Sequence, residues 1–165
     1  MAASVEIHCF SGSPLSDGGA IAGGADLCSD DNCVFSAANR IANPLISGSY
    51  SFEKWLRLKV TAMPDTWIGY LKIWGDGTIQ TNTTLRFGPT AVAADPVLTP
   101  SVVAVNDFTI AVVGSKQVWD LTVRTVADLG ISPWTDYLVF QLFVAAAATS
   151  GDWTAETVFY EYLEA

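Results

Sequence analysis

The chain has 165 residues, half of them hydrophobic and 15% charged, and carries a formal net charge of −9 with a pI near 4.2. That length suits one domain able to bury about 70% of the surface its unfolded form exposes, and the hydrophobic fraction excludes disorder by composition. Eight scattered Lys and Arg against seventeen Asp and Glu argue against nucleic-acid binding and against attraction to anionic membranes, both of which draw on clustered cations.

The first ten residues, MAASVEIHCF, offer neither a basic n-region nor an apolar h-region, so no secretory signal is expected and synthesis in the cytosol is. Residues 5–10 alternate as a half-buried strand does. Residues 11–32 follow, with Gly12, Gly18, Gly19, Gly23 and Gly24 among Ser and Asp, a composition that disfavours regular structure. A short helix is predicted within 34–41 and another around 125–129. From residue 50 the chain reads as strands: 50–62 places Leu56, Leu58, Val60 and Ala62 on one face and Trp55, Arg57, Lys59 and Thr61 on the other.

Residues 67–74 (WIGYLKIW) form the next predicted strand, ending in a turn at Gly75 and Gly77, with Trp67, Leu71 and Ile73 expected on one face. Further strands are predicted at 83–87, 107–113, 118–126, 137–147 and 157–162, separated by Gly-Pro, Asp-Pro, Thr-Pro and Ser-Pro turns. Trp119, Leu121 and Val123 are expected to share a core face. The apolar run 137–148 is too short for a spanning helix, which needs about 20 residues. Together these readings predict an all-β, single-domain antiparallel sandwich: an N-terminal strand and extended arm over 1–49, and the sandwich body over 50–165.

Chemistry has few candidates. His8 is the only histidine, and its strand neighbour Cys9 points to the opposite face, which excludes a Cys-His pair between them. Cys28 and Cys33 have a spacing a zinc ion accepts, but only Cys9 and His8 remain as further ligands, so reduced thiols are expected and neither a metal nor a cofactor. Asp26, Asp30, Asp31 and Asn32 supply oxygen ligands without the alternation or bidentate Glu of a calcium loop. Carboxylates are plentiful, yet nothing in the sequence places two across a cleft. No catalytic residue is nominated, and an enzyme is not expected. Among six Trp, Trp134 and Trp153 fall in predicted turns, where exposure suits an interface anchor or a sugar platform.

Residues 51–60 (SFEKWLRLKV), the aromatic strand 68–74, and the C-terminal pair 132–142 (SPWTDYLVFQL) and 157–162 (TVFYEY) resemble a family of small all-β virion structural proteins of tailed bacteriophages and prophages. The resemblance spans about residues 50–163. It implies a jelly-roll-like sandwich acting as a capsid decoration or cement protein on the virion surface, with the major capsid protein and copies of itself as partners. A carbohydrate-binding or structural module of the tail or baseplate is the alternative. On the shell, the Gly-rich N-terminal segment is expected to gain most of its order, with Leu27, Val34, Phe35 and Ile41 as apolar anchors.

Overall fold

A computed structural model describes residues 2–63, 66–78, 80–149 and 156–165. Ten strands, numbered in chain order, make two antiparallel sheets. Sheet 1 runs β2 (Ser16–Ala20), β1 (Ser4–Ser11), β3 (Lys54–Ala62), β9 (Tyr137–Val144), β5 (Thr83–Thr90), β6 (Asn106–Asp107). Sheet 2 runs β10 (Val158–Glu164), β4 (Trp67–Gly75), β7 (Gln117–Asp120), with β8 (Arg124–Thr125) also paired to β4. The all-β sandwich expected from the strand pattern is therefore what the chain adopts.

Between the sheets lies the main core. Leu58, Val60, Leu85, Phe87, Leu138 and Phe140 from sheet 1 meet Ile68, Leu71, Ile73 and Trp119 from sheet 2, with Phe108 wedged edge-on between Phe87 and Phe140. A second cluster sits on the far side of sheet 1. Here Phe10, Trp55, Tyr137 and Val139 are covered by Leu15, Val103, Ala104 and Trp134, which come from loops. The centre of sheet 1 is thus buried on both faces, and β9 reads accordingly as a nearly unbroken apolar run, YLVFQLFV, rather than an alternating one.

Two polar side chains fasten the loop layer to sheet 1. Gln141, fully buried on β9, accepts a hydrogen bond from Ser101 N at 2.8 Å and donates to the carbonyls of Ser51, Val97 and Thr99 at 3.0, 3.3 and 2.8 Å. Glu53 accepts from Trp55 Nε1 and Val97 N. The loop comes so close to β5 that a Cβ at Gly88 would collide with the Val103 carbonyl.

The N-terminal segment is tied down within the chain. β1 pairs with β3 from Ser4 through Phe10, and Cys9 is disulfide-bonded to Cys33. This corrects the expectation of three reduced thiols; only Cys28 is free, and it is buried. Spacing in the chain gave no sign of the pairing, since Cys9 meets Cys33 only once β2 folds back against β1. Helix α1 (Ala37–Ala42) starts three residues later and ends one residue later than predicted, and is capped by Ser36, whose Oγ accepts from Asn39 N.

Three strand predictions are corrected. The strand predicted over 107–113 is reduced to the two residues Asn106–Asp107 ahead of a 3-10 turn, because Asp107 captures Thr109 N with its own carboxylate. Residues 118–126 break after Asp120, whose carboxylate takes Thr122 N, leaving Leu121 and Val123 exposed and Trp119 alone in the core. In β4, Ile68 and Leu71 are both buried although three residues apart. A strand alternates in twos, so one residue must be inserted. Tyr70 is that residue, with φ +55°, and Trp67 consequently leaves the face of Leu71 and Ile73.

Candidate interaction face

Sheet 2 has no second covering layer among the described residues. Its outer face carries Tyr70, Lys72 and Trp74 from β4, Val118 beside β4, Phe159, Glu161 and Leu163 from β10, and Leu121 just past β7. Tyr70, Val118, Leu121, Phe159 and Leu163 are between 42 and 57% exposed. A shallow depression of about 220 Å³ is lined by Tyr70, Lys72, Leu121, Glu161 and Leu163. Contiguous apolar exposure of this kind, fringed by charge, marks interaction surfaces.

The face is preorganised. Trp74 stacks on Phe159 with centroids 5.6 Å apart, and Lys116 Nζ lies 4.4 Å from the indole centroid before reaching Glu161 at 2.6 Å. The indole therefore stands among its neighbours as a fixed part of the wall and leaves no clear face for a sugar ring. Tyr70 is held outward by a left-handed backbone that is costly for a bulky side chain, about 1–3 kcal/mol. The bulge keeps Ile68 and Leu71 in the core, and the outward tyrosine is its by-product on the open face.

The residues singled out from sequence fall elsewhere. Leu27 is partly buried against the main core, so it is an internal contact rather than a free anchor. Val34, Phe35 and Ile41 are exposed, as is Ile46. Arg40 lies over the Phe35 ring at 5.7 Å. Trp134 is half-buried rather than freely displayed: His8 and Phe10 meet it edge-on, and Arg57 and Lys59 lie 5.6 and 5.2 Å from its centroid. Trp153 lies outside the described residues.

His8 is 7% exposed, with Nδ1 2.9 Å from Asp17 and Nε2 3.4 Å from Glu6. Its surroundings are thus two carboxylates and an indole. With Cys33 committed to Cys9, the zinc arrangement considered for Cys28 and Cys33 loses a ligand, and among the described residues no group of three potential ligands gathers as a metal site would require.

The acidic loop has structural partners. Asp26 accepts from Ser36 N, Asn39 Nδ2 and Arg40; burial pushes its carboxyl up, but these bonds outweigh burial and hold it below the ordinary carboxylate range. Lys54 Nζ, fully buried, donates to the carbonyls of Asp30 and Asn32 at 2.8 and 2.6 Å. Burial lowers its proton affinity, and the nearby Cys28 and Asp31 restore only part.

A carboxyl pair invisible in the sequence appears where β4 ends. Asp76 and Glu156 meet through their side chains beside a cavity of about 250 Å³ lined by Gly77, Phe108, Thr109, Ala111, Val112 and Glu156. Asp76 is held to about 2, chiefly by the Thr78 amide, whereas burial and then Asp76 raise Glu156. Eighty residues of chain separate the two carboxylates, so only the β4–β10 pairing brings them together.

No family model matches the chain, nor does any curated protein or solved structure.

Proposed function

We propose that this chain is an assembly protein of a virion, acting as a decoration or cement subunit that binds across major capsid protein subunits. The observation that carries the reading is the uncovered apolar face of sheet 2, with Tyr70, Leu121, Phe159 and Leu163 exposed on a sandwich whose other sheet is covered on both faces at its central strands. Small subunits stabilise a shell by burying apolar area across its seams, and many copies make weak individual contacts sufficient through effective concentration. The exposed Val34, Phe35, Ile41 and Ile46 supply further apolar side chains for a neighbouring subunit. No helix of the described residues is long and apolar enough to cross a membrane.

The Cys9–Cys33 disulfide accords with service on a particle surface outside the reducing cytosol, after synthesis in the host cytoplasm. A jelly-roll-like winding of the strands belongs to the same proposal. The carbohydrate-binding alternative is weakened by the contacts already made to the half-buried Trp134 ring by His8, Phe10, Arg57 and Lys59.

The test is copy number. Densitometry of purified particles should give a count comparable to the major shell protein. A count of about a dozen or fewer would move the protein to the tail or neck, and absence from particles would end the reading.

A further inference from the structure

β10 is the one long strand among the described residues that lies at a sheet edge with apolar side chains on it. Its counterparts are guarded. β2 is five residues of Ser, Asp, Gly and Ala, and β6 has only two residues. Edge strands normally carry such features because their unpaired N–H and C=O groups template pairing with another chain. β10 pairs with β4 on one side only, over Val158–Glu164, and leaves alternate amides and carbonyls of seven residues facing outward.

Its side chains are equally unusual. Val158, Phe159, Tyr160 and Leu163 are 38–57% exposed, and they occupy both faces of the strand. In β9 the same two-faced apolar pattern accompanies burial on both sides. β10 thus presents exposed apolar side chains on both of its faces at a sheet edge, with Glu161 and Glu164 as its charged residues.

We infer that β10 pairs antiparallel with β10 of a second copy of this chain, joining two four-stranded sheets into one continuous sheet across a two-fold axis near Phe159. The choice of a second copy rests on self-complementarity. With the axis at Phe159, that residue faces its own symmetry mate, Val158 faces Tyr160 and Thr157 faces Glu161. An axis at Glu161 would oppose two like charges, and one at Tyr160 would oppose Glu156 with Glu164. At the Phe159 register no pair of described residues brings like charges together, and aromatic and β-branched side chains meet as they do in stable ladders. A two-fold pairing of this kind is isologous and closes after one contact, so it limits growth to a dimer.

The area sets the strength. Four half-exposed side chains and the backbone of one strand make an interface smaller than the standard size of specific complexes. Association is therefore expected in the micromolar to sub-millimolar range, reinforced where copies gather on a surface. The inference deepens the assembly reading by naming the second copy as a partner, but it stands or falls separately from it.

Sedimentation velocity of the full chain from about 1 to 500 μM should show a reversible monomer–dimer shift. Hydrogen exchange at the two ends of that range should show amides of residues 158–164 gaining protection with concentration. F159K places two ammonium groups across the axis and should weaken dimerisation at least tenfold. V102K, on the far loop layer, should leave it unchanged. Circular dichroism would establish that both variants fold, and exchange on the unmodified chain tests the interface without a variant. A monomer at every concentration would overturn the proposal. So would a dimer that forms with no added protection of 158–164, since the interface would then lie elsewhere. Particle copy number reads neither result, so failure here leaves the virion assignment to its own test.

Discussion

Gln141 is the perturbation that most directly tests the three-layer architecture. Its amide is fully buried, and its four hydrogen bonds all end on backbone of residues 51 and 97–101. Truncation in Q141A leaves Ser101 N without its acceptor and removes the donor to the carbonyls of Ser51 and Thr99, while Val97 O keeps its bond from Glu53 N. A neutral hydrogen bond contributes about 1 kcal/mol net, and a buried group left unpaired costs about 1–3 kcal/mol. Water reaching some of the carbonyls offsets part of that, so a loss of about 3–5 kcal/mol is expected, a large share of the 5–15 kcal/mol that holds a typical domain together. At 2–4 °C per kcal/mol for a chain of this size, the melting temperature should fall by roughly 6–20 °C. Urea titration gives the free energy. Limited proteolysis locates it, because cleavage should appear first within residues 91–105. A loss below about 0.5 kcal/mol, with no new cleavage there, would refute the claim that this amide holds the loop layer down.

Asp120 and Arg124 form an ion pair at 2.6 Å, nearly out of solvent. D120N should cost about 3–5 kcal/mol in a urea titration by leaving a buried guanidinium uncompensated, whereas E6Q at the exposed strand margin should change stability little. Burial pushes Asp120 up, but bonds from Asp136 N and Thr122 with the Arg124 charge outweigh it and set the carboxyl below its ordinary value, as happens at Asp26. Stability from both groups is complete above the unfolded carboxylate value, about 3.9, and is lost as pH falls through their lowered folded values. Urea midpoints should therefore drop steeply below about pH 4; Asp136, raised by burial and by Asp120, works in the opposite sense and flattens part of that fall. Reducing the Cys9–Cys33 bond, which spans 24 positions, should lower stability by about 3.5 kcal/mol if chain entropy dominates, measured as a midpoint shift with and without reductant.

Much of the fold was legible because strand physics is local. The alternation in 54–62 and the apolar run of 137–144 appear as strands at or near the predicted places, and β4 ends at Gly75 where the turn was expected. What escaped depends on partners far away in sequence. The bulge at Tyr70 follows from the need to bury Ile68 and Leu71 together, which is a demand of the opposite sheet. Trp134 looked exposed because it sits beside a proline in a turn, but Arg57, Lys59 and the first strand close around it. The Glu53-Lys54 dipeptide gave no hint that one residue clamps the 97 loop and the other the 30–32 loop. The interaction face was hidden because an aromatic in a strand reads as core until the strand is known to lack a covering layer.

The loop layer over sheet 1 also bears on how this chain can change over generations. Surface connections usually absorb insertions and deletions freely, but residues 97–104 act as a third wall whose length is fixed by Gln141, Glu53 and the tight approach to Gly88. Relatives should keep the spacing of that stretch as strictly as that of a strand. Their length variation should gather instead in connections that carry no such duty, an inversion of the ordinary division between conserved scaffold and drifting loops.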